Sequence, residues 1–342
     1  MSRLIRTFLL SACACLLLPP LVLAGAPKTL VIYFIDVEGG QATLIVSPSG
    51  ASMLIDTGWL GYKGRDADRI VAAAKAAGLQ QIDTVVITHY HRDHVGGVAQ
   101  LASRMKIGTF VDHGPNMEDS PDPREDYAAY EQVAATARRV VVKPGEQIPL
   151  PGIGVEVLTA GGERIRKALP GAGQPNPLCA SEREAPADAT ENARSLGVLV
   201  SYGEFRFLDL GDLTKGKELE LVCPANLIGT VDLYLTTHHG LAQSNARAIV
   251  HALHPRVAIM NNGAHKGGSP KAWETIHGSP GLEDLWQLHY ALDADREHNS
   301  PDAFIANPAE NCDGQYIKVS AQPDGSFTVL NLRNKYEKTY SK

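Results

Sequence analysis

The segment 89–94 reads HYHRDH, so three histidines and one aspartate lie within six residues. Imidazole nitrogens and carboxylate oxygens are ligands for zinc and similar divalent ions. His89 and His91 are two residues apart and can project together from an extended loop, whereas Asp93 and His94 lie past a turn and point elsewhere. The spacing therefore predicts a site for two metal ions.

A carboxylate that bridges the two ions is also expected, and the pair Gly211-Asp212 is placed to supply it. The pair follows the apolar stretch 205–210, which has the composition of a β-strand. A glycine at the end of a strand allows another backbone segment to approach closely. Asp212 is therefore the predicted bridging ligand.

Two more groups of polar side chains follow apolar strands. The pair His238-His239 and the residue Asp56 each come directly after such a run. We predict His238 as a metal ligand and keep His239 as the alternative. Since these residues, like Asp212 and the 89–94 segment, fall where a strand ends, they are expected to meet at one rim of a sandwich.

Alternation of apolar and polar residues predicts many short strands with helices between several of them. Strands are expected at 29–36, 41–47, 53–55, 84–88, 107–111, 140–142, 155–159, 196–201, 205–210, 231–236 and 257–260. Helices are expected at 65–77 and after Gly96-Gly97. The irregular alternation of the two indicates an α/β (α+β) fold.

No repeat and no shift in composition marks a second domain, so residues 25–342 are predicted to form one catalytic domain. The segment 160–194 is rich in glycine, proline, alanine and charged residues, and it shows no clear periodicity. A connection of this length is usually a functional lid or a disordered linker. We expect a lid.

The charge of the chain limits the kind of partner that it attracts. Its 342 residues include 32 Lys and Arg against 38 Asp and Glu, which gives a formal net charge of -6. A net negative charge provides no general attraction for a polyanion. The expected partner is a small-molecule or phosphodiester substrate that is held locally. Nucleic acid is a possible substrate that the net charge does not support.

Residues 1–24 have the pattern of a secretory signal peptide. Arg3 and Arg6 precede an apolar run that ends in small residues, with cleavage expected after Ala24. The protein is thus predicted to be exported to the periplasm or the extracellular space, with no integral membrane span after signal removal. An uncleaved anchor and lipid attachment at Cys13 are the alternatives.

Removal of the signal peptide would leave three cysteines, Cys179, Cys223 and Cys312. In a compartment that permits disulfides, one bridge and one free thiol are possible. The sequence does not determine which two cysteines pair.

Over residues 29–265 the sequence resembles the metallo-β-lactamase superfamily of binuclear metallohydrolases. Several motifs are also similar to the extracellular hydrolase domain of ComEC-type competence proteins, which are thought to act as DNA nucleases. These motifs are found at 36–42 (DVEGGQA), 54–58 (LIDTG), 192–195 (NARS), 211–212 (GD) and 238–240 (HHG). The resemblance implies a four-layer αβ/βα sandwich with metal ions at one edge of the two sheets.

The resemblance also implies how the ligands are divided between the two ions. The first ion would be held by His89 and His91, the second by Asp93, His94 and His238, with Asp212 as the bridge. Asp56 would orient the ligand loop. Zinc and manganese are both reasonable identities for the ions.

The chain departs from the superfamily at one ligand position. Many members have another histidine between the HYHRDH segment and the bridging aspartate, but in this interval the chain has only His113. Asn192 occupies the region in which competence-type relatives carry asparagine. The first ion is therefore expected to have fewer strong ligands, with water, Asn192 or His113 completing its set.

Further downstream, His265 and Lys266 lie in the glycine-rich segment 261–270 (NNGAHKGGSP). They are candidates to contact an anionic substrate, because the segment combines a flexible backbone with a cationic side chain. An ordinary glycine-rich turn is the alternative.

Together these features predict an exported binuclear metal-dependent hydrolase with Asp93 and Asp212 as its catalytic carboxylates. A metal-bridging hydroxide would attack a phosphodiester, since a bound zinc ion lowers the pKa of its water to about 7. Hydrolysis of a cyclic amide or ester, such as a β-lactam or a lactone, is the first alternative. A metal-stabilised binding module without turnover is the second.

Overall fold

The structure is a computed structural model that describes residues 29–182 and 188–342. The predicted signal peptide, residues 1–24, lies outside the described residues. Within the described residues, the chain forms two mixed β-sheets that face each other and carry helices on their outer sides.

The strands are short and alternate with helices or loops along the whole described chain. In chain order they are β1 (Leu30–Phe34), β2 (Thr43–Val46), β3 (Ser52–Ile55), β4 (Gln81–Val86), β5 (Lys106–Asp112), β6 (Arg138–Val141), β7 (Gly154–Ala160), β8 (Glu163–Arg164), β9 (Gly197–Tyr202), β10 (Phe205–Asp209), β11 (Leu233–Leu235), β12 (Val257–Met260), β13 (Asp284–His289), β14 (Ile305–Asn307), β15 (Ile317–Ala321), β16 (Phe327–Asn331) and β17 (Glu337–Tyr340). The first sheet has the order β17-β16-β15-β1-β2-β3-β4-β5-β6, and the second has the order β14-β13-β12-β11-β10-β9-β7-β8.

The α-helices of the described residues are α1 (Arg65–Ala76), α2 (Arg92–Val95), α3 (Val98–Ala102), α4 (Pro121–Ala134), α5 (Lys215–Val222), α6 (Arg247–Leu253) and α7 (Pro270–His277). Short 3-10 helices occur at Tyr62–Gly64, Pro177–Ser181, Glu191–Arg194, Thr237–Gly240, Arg296–His298 and Asp302–Phe304. In α1, Asp66 and Asp68 lie in the first turn, where the helix dipole favours negative charge. Its apolar side, which includes Ile70 and Ala74, is buried against the first sheet.

Three apolar clusters define the layers of the fold. One cluster contains side chains from both sheets, such as Phe34 and Phe207, and fills the space between them. A second packs α1, α3 and α4 on the outer face of the first sheet. A third packs α5, α6 and α7 on the outer face of the second. The order is helices, sheet, sheet, helices, so the predicted four-layer αβ/βα sandwich is confirmed.

Strand direction decides where the loops with polar side chains emerge. In the first sheet, β3, β4, β5 and β6 run parallel to one another. In the second sheet, β10 to β14 run parallel to one another. The carboxyl ends of parallel strands lie at one edge of a sheet, where α/β proteins commonly bind ligands.

The predicted strands are present with boundaries shifted by a few residues, and the helix expected at 65–77 is α1. The helix expected after Gly96-Gly97 is α3, but an additional helical turn, α2, already begins at Arg92. Asp93 and His94 therefore lie on a helix instead of a loop. Helix α4 and the strands after 257–260 were not predicted.

A disulfide links two segments in the second half of the chain. Cys179 and Cys223 form a disulfide, and Cys312 is a free thiol. The expectation of one bridge and one free thiol is thus confirmed, with the pairing now assigned. Within 29–182 and 188–342, no helix has the length and apolar character needed to cross a bilayer.

Candidate metal centre

The carboxyl ends of strands from both sheets bring the predicted ligands together. In the first sheet, β3 ends before Asp56 and the parallel strand β4 ends before His89. In the second sheet, β10 ends before Asp212 and β11 ends before His239. His94 links the two groups, because its ring contacts both Asp56 and Asp212. The predicted meeting of strand ends is therefore observed for these residues.

Asp56 holds the HYHRDH segment at both of its ends. Its Oδ1 accepts a hydrogen bond from the backbone N–H of Thr88 at 2.8 Å, and its Oδ2 accepts one from the Thr88 hydroxyl at 2.7 Å. The same Oδ2 lies 2.7 Å from Nδ1 of His94. A carboxylate on one ring nitrogen orients the other nitrogen toward a metal. These contacts are the ones expected of a loop-orienting residue.

Gly211 allows the second sheet to approach this segment. Its φ is 56°, and a Cβ atom at this position would lie 3.0 Å from Cβ of Thr88. At a larger residue the Thr88 side chain would have to give way by a few tenths of an ångström, and the positive φ would itself be strained. The close approach predicted for Gly211 is confirmed, and it places Asp212 beside the histidines.

Four ligand atoms form what we call the Asp212 cluster: Asp93 Oδ2, His94 Nε2, Asp212 Oδ2 and His239 Nε2. Nε2 of His94 lies 3.3 Å from Asp93, 3.2 Å from Asp212 and 3.2 Å from Nε2 of His239. Nε2 of His239 lies 3.1 Å from Asp93 and 3.3 Å from Asp212. In a tetrahedral zinc site with bonds of about 2.0–2.1 Å, ligand atoms are about 3.3–3.4 Å apart. The cluster fits one divalent ion.

His89 and His91 lie beside this cluster. The His89 ring centroid is 4.7 Å from that of His91 and 4.1 Å from that of His94. Within the described residues, the buried Nε2 of His89 and the buried Oδ1 of Asp212 have no hydrogen-bond partner. Buried polar atoms are rarely left without partners unless an ion or water completes them. These two atoms are the observation that fits a second ion bridged by Asp212.

Burial and neighbouring positive charge have opposite effects on the pKa values of the two aspartates in the Asp212 cluster. Burial alone would raise the pKa of Asp93, but His94 and Lys266 hold it well below its ordinary value. Burial likewise opposes ionisation of Asp212, but the three histidines that face it hold its pKa well below the ordinary value. The pKa of His89 is lowered well below its ordinary value by burial and by His94. Neutral imidazole is the form that coordinates a metal.

The adjacent histidines of the 238–239 pair have different surroundings. His239 is completely buried and contacts both aspartates of the Asp212 cluster. His238 contacts only Asp212 of these two, with Nε2 3.3 Å from Oδ2, and its Nδ1 lies 3.3 Å from the hydroxyl of Ser244. The geometry thus places the alternative, His239, in the cluster, and places His238 next to it.

Of the two residues expected to complete the ligand set of the first ion, His113 has another partner and Asn192 has an oxygen without one among the described residues. Nε2 of His113 lies 3.0 Å from the carboxylate of Glu191, and the His113 ring packs against Tyr90 at 4.8 Å. The neighbouring Asn192 has a buried Oδ1 with no partner among the described residues. Of the two, Asn192 is the one with a free oxygen for an ion.

The two residues predicted from the glycine-rich segment separate in the structure. Nζ of Lys266 contacts Asp93 Oδ2 and lies 4.7 Å from the centre of the Trp59 ring. His265 is exposed and lies near Asp293 at 3.0 Å and Glu310 at 3.5 Å. Lys266 therefore belongs to the site, whereas His265 forms a surface pair with two carboxylates.

One residue at the site was not anticipated. Oε2 of Glu118 lies 3.1 Å from Nε2 of His91 and also accepts the backbone N–H of Glu191 at 2.8 Å. Burial would raise the pKa of Glu118, but this N–H and its other partners lower it. Glu118 follows no strand and no motif, so the sequence carried no signal for it.

A cleft of about 860 Å³ lies next to the loop that follows β5, and its lining contains none of the four residues of the Asp212 cluster and neither His89 nor His91. Its lining includes His113, whose ring packs on Tyr90 within the HYHRDH segment. The cationic residues of the lining are Lys143, Arg164, Arg166, Lys167 and Arg194. The lining also contains Glu156 and Glu163, so it has five basic side chains against two acidic ones in a chain whose net charge is -6.

The fold and the centre define an αβ/βα sandwich protein with a histidine and aspartate site of the kind that binds divalent metal. The family model described as Metallo-beta-lactamase superfamily matches residues 35–175. The resemblance to this superfamily is thus confirmed over that part of the chain.

Two curated relatives match parts of the sequence. ComE operon protein 3 of Bacillus subtilis (strain 168) is 24% identical over 247 residues, which cover 68% of this chain and 28% of that protein. Hydroxyacylglutathione hydrolase of Albidiferax ferrireducens is 40% identical over 58 residues, which cover 17% of this chain and 21% of that protein. The chain therefore spans less than a third of either relative. The predicted similarity to ComEC-type competence proteins is confirmed by the first match.

A solved structure with a similar fold is the metallo-beta-lactamase fold protein YhfI from Bacillus subtilis. The TM-score is 0.46 and the sequence identity is 11%, and the match covers 76% of this chain and 96% of that one.

Proposed function

We propose that this protein is an exported, binuclear metal-dependent hydrolase that cleaves phosphodiester bonds. The observation that carries the reaction class is the Asp212 cluster, whose ligand atoms have the mutual spacing of a tetrahedral metal site. The observation that favours a phosphodiester is the cationic cleft, whose lining reaches His113, the residue that packs on Tyr90 of the HYHRDH segment. A local cationic surface can hold an anionic substrate even when the whole chain is negative.

Two divalent ions, zinc or manganese, would supply a nucleophile deprotonated near neutral pH and would stabilise the negative charge of the transition state. His89 and His91 would hold one ion, and Asp93, His94 and His239 the other, with Asp212 between them and His238 as a further contact. Asp56 and Glu118 would keep the rings of His94 and His91 in position.

The chain's own residues would then bind and orient the substrate. Lys266 presents an ammonium group at the rim of the centre, where it can pair with a phosphate oxygen once Asp93 is bound to metal. The guanidinium groups of the cleft suit phosphate oxygens because each can donate two hydrogen bonds in parallel. Asn192 would supply its side-chain oxygen as a ligand in place of the histidine that many superfamily members have and this chain lacks.

The segment 160–194 is proposed as a lid over the cleft. Its first part, 160–170, and its last residue, Arg194, both line the cleft. The disulfide between Cys179 and Cys223 ties the segment to the end of α5. A substrate bound in the cleft would therefore contact the lid directly.

A thioester, lactam or lactone is the second candidate substrate. It is favoured by the short match to hydroxyacylglutathione hydrolase, since the same metals can activate water against a carbonyl carbon. A carbonyl substrate without negative charge would make no use of the cationic cleft.

The reaction class is tested by offering matched substrates to protein loaded with zinc or manganese. We expect hydrolysis of bis-p-nitrophenyl phosphate and little turnover of nitrocefin or of a lactone panel. Turnover of only the carbonyl substrates would replace the phosphodiester proposal. No turnover of any substrate by protein that contains two metal ions would favour a binding module.

Export is tested separately by expressing the full chain in a bacterium and sequencing the N-terminus of the product. We expect the mature protein to begin at Gly25 and to be recovered outside the cytoplasm. A product that retains Met1 in the cytoplasmic fraction would contradict export.

A further inference from the structure

A second group of metal-ligating side chains lies at the same edge of the sandwich. Asp36 follows β1, His289 is the last residue of β13, and Glu38 and Cys312 lie in loops beside them. We call these four residues the Cys312 cluster. None of them belongs to the Asp212 cluster, and Cys312 is 276 residues from Asp36 in sequence.

The side chains of this cluster are close enough to share one ion, since one potential ligand atom from each lies within 4.8 Å of the other three. The sulfur of Cys312 lies 3.3 Å from Asp36 Oδ2, 3.4 Å from Glu38 Oε1 and 4.0 Å from Nε2 of His289. Nε2 of His289 lies 2.8 Å from Asp36 Oδ1 and 3.4 Å from Glu38 Oε2. Zinc bonds of about 2.0–2.3 Å imply ligand separations of about 3.3–3.8 Å. To bind one ion, each carboxylate would have to turn so that a single oxygen faces both the sulfur and the imidazole, because the contacts above involve different oxygens of Asp36 and of Glu38.

The charges around the cluster also suit a divalent ion. Nη1 of Arg69 donates to Asp36 at 2.9 Å and to Glu38 at 3.0 Å, which offsets one of the two carboxylates. With Cys312 as thiolate and His289 neutral, the four side chains and Arg69 sum to a charge of -2. A divalent cation would make the sum zero. This balance matters because Asp36 and His289 are completely buried.

We propose that Asp36, Glu38, His289 and Cys312 bind a structural zinc ion that is separate from the catalytic metal centre. A set of four protein ligands leaves no open position for substrate, which is the arrangement of structural zinc sites. The combination of thiolate and imidazole favours zinc over manganese, because manganese prefers ligands that are all oxygen. Binding would release the thiol proton together with any proton on His289.

Such an ion would hold the loop after β1 in place beside the metal centre. This loop leads to Gln41, whose backbone N–H donates to the carbonyl of Asp93 at 3.1 Å. Within the loop, a Cβ at Gly39 would lie 2.9 Å from Cβ of Lys266. The ion would therefore link β1, β13 and the loop before β15. This link would lie close to Asp93 and Lys266 of the proposed catalytic site.

The test is cobalt substitution of the full chain, with Cys13→Ser and Cys15→Ser in every sample. The disulfide is kept oxidised, so that Cys312 is the remaining thiol. Cobalt bound to a thiolate gives a near-ultraviolet sulfur-to-cobalt charge-transfer band, whereas carboxylate and imidazole ligands do not. We expect a band whose intensity corresponds to about one thiolate-bound cobalt ion per chain. We expect a total of three metal ions per chain.

Variants separate the two clusters. Cys312→Ser and Cys312→Ala are expected to lose the charge-transfer band and one metal ion while retaining phosphodiester hydrolysis. Asp212→Ala is expected to keep the band while losing hydrolysis. Exposed His265 supplies the control His265→Ala, which should change neither.

The structural zinc proposal is overturned if metal-loaded protein that carries only Cys13→Ser and Cys15→Ser shows no sulfur-to-cobalt band, a result that needs no change in either cluster. It is also overturned if the band persists in Cys312→Ser. The proposed hydrolase function fails separately, by absence of turnover in protein that shows the band.

Discussion

The Asp212 cluster and the Cys312 cluster lie at the same edge of one sandwich, and each brings four potential ligand atoms within 4.8 Å of one another. They differ in what surrounds the ligands. The Asp212 cluster is flanked by His89 and His91, which we propose to hold a second ion. The Cys312 cluster is closed by Arg69. On our two proposals, the neighbours of the four ligands, more than the proximity of the ligands, separate a catalytic site from a structural one.

The largest effect is expected where the first cluster loses its shared carboxylate. Asp212→Ala should lower hydrolysis of bis-p-nitrophenyl phosphate at least about 1000-fold, because both metal ions lose a ligand and the transition-state charge is less stabilised. Metal analysis should show that the protein binds fewer ions. The hydrolysis rate of Cys312→Ser, measured in parallel, should stay within about threefold of the wild-type rate, since a structural ion does not contact substrate.

Retention of normal turnover by Asp212→Ala would show that Asp212 is not the bridge. Far-ultraviolet circular dichroism is the control for folding in both variants. An equal loss in Asp212→Ala and Cys312→Ser, with both folded, would remove the distinction between the two clusters.

A smaller effect should distinguish the two adjacent histidines. His239→Ala removes a contact to both aspartates of the Asp212 cluster and should lower kcat/KM about 100-fold. His238→Ala removes a contact to Asp212 alone and should cost about tenfold or less. Zinc affinity, measured by competition with a chelator, should fall in the same order. The reverse order would restore His238 as the ligand that the sequence indicated.

The sequence could predict the Asp212 cluster because most of its ligands are local or follow strands. His89 to His94 are contiguous, and Asp212 comes after an apolar run that any alternation pattern identifies as β. The choice between His238 and His239 could not be made this way. Both have positive φ, 56° and 55°, so the direction of each side chain depends on a turn that the pattern does not encode.

The Cys312 cluster could not be predicted for a different reason. Its four residues come from segments that approach one another only when β1 of the first sheet faces β13 of the second. No short motif connects them. The strands β15 and β16 alternate buried and half-buried residues, so their pattern was visible in the sequence although it was not assigned.

Glu218 provides a buried carboxylate outside both clusters, with backbone N–H donors in place of histidine or arginine. Its oxygens accept from Asn245 and Ala246 at 2.9 Å each. Burial raises the pKa of Glu218 to about 7, and these N–H groups offset only part of that effect. Carboxylates with cationic partners, such as Asp212 and Asp36, have lowered pKa values instead.

The raised pKa predicts how stability depends on pH. Between the ordinary glutamate pKa and about 7, the folded protein holds a proton on Glu218 that the unfolded chain has released. The free energy of unfolding should therefore fall as pH rises through this window, by up to about 1.4 kcal/mol per pH unit, and level off above it. Urea unfolding of Glu218→Gln should show a shallower fall than wild type. Parallel pH profiles of the free energy of unfolding for the two proteins would contradict a raised pKa of Glu218 as the cause.

The smallest effect concerns the cationic cleft, whose lining contains no residue of either cluster. Arg166 and Lys167 are exposed in its lining, and the double variant Arg166→Gln/Lys167→Gln should raise KM for a single-stranded oligonucleotide about fivefold. The value of kcat should stay unchanged, because neither residue contacts the metal centre. The matched control is Lys75→Gln/Lys335→Gln, which removes the same charge from exposed positions elsewhere. Bis-p-nitrophenyl phosphate is too small to span the cleft, so its KM should not change. Equal effects of the two double variants would mean that net charge attracts the substrate, and the cleft would lose its role.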